Sequence, residues 1–432
     1  MPVRLVIELL LSPCTIGVMG DSPGQDSSIV AGSLRPARRS LRVAVVTETY
    51  PPEVNGVAAT IARVVNALHE RGHELQLVRP RQDAQDSAED ESRLVRVLMR
   101  GLPIPRYPQL KMGLPSRRAL LKLWTAHRPD VVHVVTEGPL GWSALQAATH
   151  LKLPVVSDFR TNFHAYSRHY GLAWLGRPIM VYLRKFHNRA ACTMVPTEGL
   201  RSELAAGGFK RLRVVSRGVD THQFDPLRRS DALRAQWGAT RHTPVVLCVG
   251  RLAAEKNLDL LLTAFEAMRT VAPGARLVLV GDGPDRAHLA QNCPGAVFAG
   301  LRRGDDLAAH YATADIFLFP SVTETFGNVV PEAMASGLAV VAYDYAAAGQ
   351  LIRHGDNGLL VRLGDRESFC DVARGLADEL PRARAMGVRA RITATRLDWA
   401  RIVDAVEFEY AAAIDDADPS RLPAWPLTAH AG

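Results

Sequence analysis

From Leu41 onward the chain alternates two kinds of segment: short aliphatic runs, and stretches whose apolar residues recur at helical spacing. Leu41–Val46 is the first run. The Pro/Gly loop Tyr50–Val57 follows, and Ala58–Arg71 then keeps a helical period until Gly72 stops it. Glu74–Val78 is the next strand. A strand buried on both faces reads as a continuous apolar run and its crossover as an amphipathic helix, so this is a βαβ unit. The pattern continues with strands over Asp130–Val135, Pro154–Ser157, Thr193–Pro196 and Arg213–Ser216, and helices over Trp142–His150, Ile179–Ala190 and Glu198–Ala206. Asp220–Gly238 is polar and Arg-rich and reads as a linker. A second series starts at Pro244–Gly250, with further strands at Arg276–Gly281, Ala296–Ala299, Ile316–Pro320, Ala339–Tyr343 and Gly358–Val361. Its helices fall at Leu258–Met268, Ala287–Gln291, Leu307–Ala312 and Val329–Ser336, and two more finish the chain. Alternation in both halves predicts two parallel, doubly wound sheets, which bind ligands at the carboxyl ends of their strands. With two such domains, the cleft between them is the expected site.

A length of 432 residues, 47% hydrophobic and 22% charged, is that of a globular chain able to bury ordinary cores. The formal net charge of +8 suits an anionic small molecule, an anionic membrane or simply an Arg-rich solvated surface. The basic residues are not interleaved with aromatics and no zinc-finger or RNA-binding signature is present, so no nucleic acid partner is expected. The five cysteines, Cys14, Cys192, Cys248, Cys293 and Cys370, are scattered without a C-x-x-C pair, which argues against a disulfide framework or zinc site and fits a reducing cytosol. No apolar run reaches the roughly 18 residues that a bilayer span requires. The amino terminus is apolar but carries Glu8 and lacks the basic start of a signal peptide. Residues 1–40 read as an extension without order and 415–432 as a tail of the same kind, and the expected location is cytoplasmic.

Three segments carry chemistry. Thr323-Glu324-Thr325-Phe326-Gly327-Asn328-Val329-Val330-Pro331-Glu332 follows a strand and opens a helix. Gly327 permits close backbone approach, and a helix amino terminus offers free N–H groups to a phosphate. Glu324 lies in the loop and Glu332 is expected about two turns into the helix, so each carboxylate can bind the hydroxyls of a different sugar; the alternative is a capping loop with a solvated glutamate. Arg251 and Lys256, after another strand, can neutralise a departing diphosphate without a metal, or can pair with Glu255 or Asp259 on the surface. Asn55-Gly56-Val57 opens a helix after the first strand but lacks the G-x-G-x-x-G of a dinucleotide site, as does the lone Gly281-Asp282-Gly283.

Together these segments, with Arg217-Gly218-Val219-Asp220 plus Phe224 and with Glu332-Ala333-Met334-Ala335-Ser336-Gly337, resemble the retaining glycosyltransferases of family 4, over roughly residues 41 to 410. The resemblance implies the GT-B fold: two Rossmann-like domains facing each other across a cleft. Residues 41–216 would form an acceptor domain and 217–395 a nucleotide-sugar donor domain, with 396–414 a helix crossing back to the first. It also implies roles. Arg251 and Lys256 would hold the donor diphosphate. Gly327, Asn328 and Val329 would contact phosphate and sugar through their amides. Glu332 would bind the ribose and Glu324 the transferred hexose. Gly56 would lie beside the diphosphate and leave room for the acceptor, and Asn55 is a further substrate-binding candidate. No cofactor or metal is implied.

One position departs from the family pattern. Arg160 stands where many members carry a His, and a guanidinium cannot serve as a base. It can still bind phosphate or hexose, and His164 is a candidate substitute. Within the family the chain looks most like α-mannosyltransferases that use GDP-mannose and act on glycolipids at the inner face of the cell membrane. That implies a lipid or glycan acceptor, with a UDP-glucose or UDP-galactose donor as the alternative. Residues 106–124 mix cations with apolar residues, as a segment touching anionic lipid does, or as an ordinary amphipathic helix does. A phosphorylase or epimerase and a non-catalytic sugar-nucleotide-binding protein are the rival readings.

Overall fold

The structure is a computed structural model, and it describes residues 39–53, 55–83, 86, 91–104, 107–160 and 176–417. His164, Arg106 and all but the first three residues of the 415–432 segment lie outside these. From Ser40 the chain forms one compact unit.

The first half builds β1 (Arg42–Val46), α1 (Gly56–Glu70), β2 (Glu74–Pro80), β3 (Leu94–Met99), β4 (Gly101–Ile104), β5 (Tyr107–Gly113), α2 (Arg117–Ala126), β6 (Val131–Val134), α3 (Pro139–His150), β7 (Val155–Asp158), α4 (Gly176–His187), β8 (Cys192–Val195), α5 (Glu198–Ala206) and β9 (Leu212–Val214). Seven of these strands form one sheet in the order β3-β2-β1-β6-β7-β8-β9, with every adjacent pair parallel. The direction of winding reverses between β1 and β6. Val43, Ala44, Val45 and Val46 are all fully buried, which is why the β1 run is apolar throughout. The short antiparallel hairpin β4–β5 stands apart from this sheet and escaped the sequence reading. In α2, Leu120 and Trp124 are fully buried while Arg117, Arg118 and Lys122 are exposed. The apolar face of that amphipathic segment is therefore already used within its own domain.

The second half builds α6 (Asp231–Gln236), β10 (Val245–Val249), α7 (Leu258–Val271), β11 (Arg276–Val280), α8 (Arg286–Asn292), β12 (Val297–Gly300), α9 (Gly304–Thr313), β13 (Ile316–Phe319), α10 (Val329–Ala335), β14 (Ala339–Tyr343), α11 (Ala346–Leu351), β15 (Leu359–Val361), α12 (Arg366–Asp378), α13 (Leu380–Ala394) and α14 (Trp399–Ala417). Its parallel sheet has the order β12-β11-β10-β13-β14-β15, reversing between β10 and β13.

The polar segment read as a linker is instead part of this second half. Asp225 caps a short 3-10 turn, Pro226–Arg228, and Ser230 caps α6. Arg234, 2% exposed, donates to Asp315 and to the carbonyls of Thr313, Thr240 and Thr243. Its charge is buried because every acceptor around it is supplied by the fold.

The chain crosses between the halves twice, and the crossings touch. Val219 N donates to Leu397 O at 3.0 Å. A Cβ on Gly218 would lie 2.8 Å from the Trp399 ring, so only glycine lets the strands of the crossing run this close. After the second crossing, Val403, Val406, Tyr410, Ala413 and Ile414 of α14 are buried in the same core as Leu41, Val43 and Val45 of the first sheet. The helix continues through Asp415, Asp416 and Ala417, so the segment from 415 does not begin as an unordered tail. At the other end Ser40 is likewise anchored: its hydroxyl donates to Gly72 O at 2.8 Å.

Candidate active site

The two loops that leave β10 and β13 flank the switch point of the second sheet, where an open α/β sheet places its ligand. The β10 loop is held from beneath by glycines. A Cβ on Gly281 would fall 1.9 Å from Gly250 O, and one on Gly283 would fall 2.2 Å from Leu252 O. Gly281 and Gly283 thus serve as a bed for residues 250–252, a packing role and not a dinucleotide one. Leu252 N donates to Asp282 O at 3.0 Å and Asp285 N to Leu252 O at 3.0 Å. Arg251 rises from this bed 39% exposed, its Nη1 3.7 Å from Glu255 Oε1.

Lys256 turns the other way. Its ammonium donates to Glu324 of the β13 loop, across the switch point. Asn257, in the left-handed region at φ 55°, ties the same two loops by donating to Pro320 O at 3.3 Å. Glu324 also accepts from Ser321 Oγ at 2.7 Å, and its carbonyl accepts from Tyr345 OH at 2.7 Å. Burial by itself raises the Glu324 carboxyl, but Lys256, Ser321 and the nearby Arg217 outweigh it and hold the group below the usual carboxylate range. Gly327, at φ 89°, brings its Cα against this carboxylate: a Cβ there would meet Glu324 Cγ and the Phe319 ring at 3.4 Å.

Val329 begins α10, and Glu332 is the fourth residue of that helix, in its first turn and not two turns in. Tyr311 OH donates to Glu332 Oε2 at 2.9 Å. Burial raises the Glu332 carboxyl to about 7; the Tyr311 hydrogen bond and Arg63 offset only part of that. Asn328, just ahead of the helix, reaches the first half: its Nδ2 donates to Thr60 Oγ1 and its Oδ1 accepts from Arg217 Nη1, both at 3.5 Å. A Cβ on Gly56 would lie 3.3 Å from Asn328 Nδ2. The amino termini of α1 and α10 therefore meet at this point, and Gly56 keeps the gap open. Asn55 is occupied otherwise. Its Oδ1 caps α1 by accepting from Val57 N and Ala58 N at 3.1 and 2.8 Å, and its Nδ2 donates to Thr49 Oγ1 at 2.7 Å. It places Gly56 but has both ends of its side chain engaged.

Arg160 closes the first-domain wall. It pairs with Asp158, which also meets His133 Nε2 at 2.9 Å, while Tyr410 OH meets His133 Nδ1 at 2.8 Å. Burial would raise Asp158, but Arg160 and His133 overcome it and lower the carboxyl to about 2. Sequence reasoning did not place Arg217, Ser321, Tyr311 or Tyr345 in the site. Only Arg217 left a sequence signal, as the Arg that stands for Asn in its motif. Among the described residues no cluster of three or more His, Cys, Asp or Glu can hold a metal ion. Nor is any described helix long and apolar enough to cross a membrane, and the four described cysteines are unpaired.

The site spans two family signatures. Residues 54–223 match the model described as Glycosyltransferase Family 4, and residues 243–379 match that of Glycosyl transferases group 1. The chain is 37% identical to a GDP-mannose-dependent alpha-mannosyltransferase of Mycobacterium tuberculosis over 76% of its own length and 85% of the relative's. The chain belongs to glycosyltransferase family 4. A GDP-mannose-dependent alpha-mannosyltransferase of Mycolicibacterium smegmatis is 34% identical over 87% of this chain and 98% of its own length. A sulfoquinovosyl transferase of Arabidopsis thaliana is 31% identical over 86% of this chain and 74% of its own. Among solved structures, a sucrose-phosphate synthase from Thermosynechococcus elongatus superimposes with a TM-score of 0.71 at 19% identity, covering 88% of this chain and all of that one. A glycosyltransferase from Rickettsia africae gives 0.68 at 15%, covering 88% of this chain and all of its own. The fold of this family-4 chain is GT-B.

Proposed function

We propose that this glycosyltransferase is a retaining α-mannosyltransferase that moves mannose from GDP-mannose to a lipid or glycan hydroxyl without a metal. The observation that carries the reading is the Lys256–Glu324 pair at the switch point of the second sheet, beside the exposed Arg251. A cation, a carboxylate and a second cation flank the switch point of the sheet, which supports a nucleotide-sugar site there. The mycobacterial relatives named above supply the choice of GDP-mannose.

Arg251 and Lys256 would stabilise the charge that develops on the departing diphosphate. Glu324, positioned by Ser321 and Tyr345, would orient hexose hydroxyls, and Glu332 the ribose hydroxyls. Amides of Gly327, Asn328 and Val329 would approach the phosphate and sugar, with Gly56 leaving room for the acceptor. Arg160 cannot take a proton, so the leaving phosphate would accept the acceptor's proton on the face it departs from, which retains the α configuration. The exposed Arg117, Arg118 and Lys122 support peripheral contact with an anionic membrane through charge alone.

A thermal-shift series with GDP-mannose, UDP-glucose, UDP-galactose and NAD, followed by turnover with membrane extract, tests the reading. Stabilisation and transfer with GDP-mannose are expected. Transfer from a UDP-sugar alone would overturn the donor assignment, and donor binding without any transfer or hydrolysis would favour a non-catalytic binder.

A further inference from the structure

Arg217 is 7% exposed, and its Nη2 has no hydrogen-bond partner. Its Nη1 reaches only Asn328 Oδ1, at a long 3.5 Å, and its Cζ sits 5.6 Å from the centre of the Phe326 ring. A second guanidinium, Arg160, lies near enough to act on it. Burial, with Arg160 adding to it, lowers the Arg217 group to about 9, and Asp158 and Glu324 offset only part of this. It therefore stays protonated at neutral pH. A buried cation without an anion costs several kcal/mol, so such a residue is expected to meet its counter-ion in a complex.

Local carboxylates supply that anion only in part. Asp158 is already committed to Arg160 and His133, and Glu324 to Lys256 and Ser321. Residues 161–175, which follow Arg160, contain no Asp or Glu. Arg160 and Arg217 line one pocket with Thr60, Pro196, Ser216 and Trp399. Every described residue of that lining comes from the first sheet and its loops, α1, the crossing at 215–217 or α14; none of them comes from the second sheet or its loops. Arg251 and Lys256, by contrast, follow β10. Neither Arg251 nor Lys256 lines this pocket, although Arg217 also reaches the β13 loop at Asn328 and Phe326.

We propose that Arg160 and Arg217 form an oxyanion site on the acceptor side of the cleft, and that the acceptor carries a phosphate or carboxylate close to the hydroxyl that is glycosylated. The inference rests on the glycosyltransferase reading and adds the charge class of the acceptor. Arg217 supplies the open N–H groups, and Arg160, steadied by Asp158, supplies the second positive charge. The same oxyanion chemistry can come from the donor diphosphate, and the test separates the two sources.

Inorganic phosphate is titrated by calorimetry into the full chain, alone and saturated with GDP. On an acceptor-side site phosphate binds the GDP-saturated protein with its affinity unchanged within about twofold. A charge-assisted hydrogen bond to a buried group is worth about 1.5–3 kcal/mol, so Arg217→Asn weakens phosphate at least about tenfold while GDP affinity moves less than about twofold. Arg217→Lys restores part of the loss, and Arg160→Gln shows the same selective loss, so the answer does not hang on one variant's folding. Phosphate that competes with GDP, or GDP affinity that falls in step with phosphate in Arg217→Asn, would assign the pair to the donor and overturn the proposal. So would phosphate affinity that both variants leave unchanged. Should GDP fail to bind the wild type, the donor reading falls while the phosphate titrations still decide this one. With membrane lipids separated by anion exchange, product is expected from the anionic fraction; product from the neutral fraction alone contradicts the proposal.

Discussion

Lys256 and Glu324 stand on the loops after β10 and β13 and join them through one ion pair, with side chains only 18% and 13% exposed. Arg251, five residues earlier, is 39% exposed. The two cations therefore differ in what their loss does. Arg251→Ala is expected to reduce kcat/KM by at least about a hundredfold and to cost less stability than Lys256→Ala, since its contact with the buried Glu255 is a long 3.7 Å. Lys256→Ala is expected to reduce kcat/KM as much and to lower stability by about 3 kcal/mol, because it strands a largely buried carboxylate. Steady-state kinetics beside denaturant unfolding checks both; near-normal turnover in either variant contradicts the diphosphate assignment.

As the proposed ribose ligand, Glu332 is expected to make nucleotide affinity depend on pH. Its folded carboxyl is raised to about 7, above the ordinary 4.5. A raised carboxylate is protonated over a window where the unfolded chain is ionised, so in the free protein its contribution favours folding below that window and is lost as pH rises through about 7. Hydroxyls of a ribose are accepted by the ionised form, so GDP affinity should rise with pH through the same range. Glu332→Gln should bind GDP weakly and without this dependence. Tyr311→Phe removes the donor at 2.9 Å and should move the midpoint upward. A wild-type affinity flat from pH 5.5 to 8.5 would exclude Glu332 as the titrating ligand.

Metal independence is checked by chelation. With Arg251 and Lys256 as the expected counter-charges, turnover should persist in EDTA. Complete loss, restored by manganese or magnesium, would show that a metal carries the diphosphate.

The return of α14 to the first sheet gives Tyr410 a place in that domain's stability. Its ring is fully buried and its hydroxyl meets His133, which in turn holds Asp158. Tyr410→Ala should cost about 3–5 kcal/mol through the cavity and the orphaned His133, and Tyr410→Phe about 1 kcal/mol. Equilibrium unfolding measures both; a Tyr410→Phe as stable as wild type would mean that the hydroxyl network contributes nothing, and equal effects would mean that the buried ring contributes nothing.

The second sheet was easily legible because most of its strands are short, apolar and buried, as in Val245–Val249 and Ile316–Phe319. β3 was hidden by Arg96 and by the acidic segment before it, and α11, six residues long, is too short to show a helical period. The segment around Arg234 looked like a linker because its charge reads as solvated, while Asp315, eighty-one residues away, is what buries it. Among candidate site residues, Glu324, Lys256, Gly327 and Glu332 announced themselves by position after strands. Asn55 did so for a capping reason. Arg217 lay in a recognised motif, yet its open guanidinium depends on how two crossings and two domains come together, which no local pattern encodes.

Stereochemistry is where the account meets its most direct test. Glu324 is paired with Lys256 and Ser321, and its proposed role is to hold hydroxyls and not to attack carbon. Glu324→Gln should weaken transfer and leave no sugar bound to the protein by mass spectrometry. The deciding measurement is the NMR spectrum of the glycoside that wild-type enzyme makes from GDP-mannose. An α-linked mannoside is predicted; a β-linked product, or no mannoside at all from this donor, would contradict the central claim.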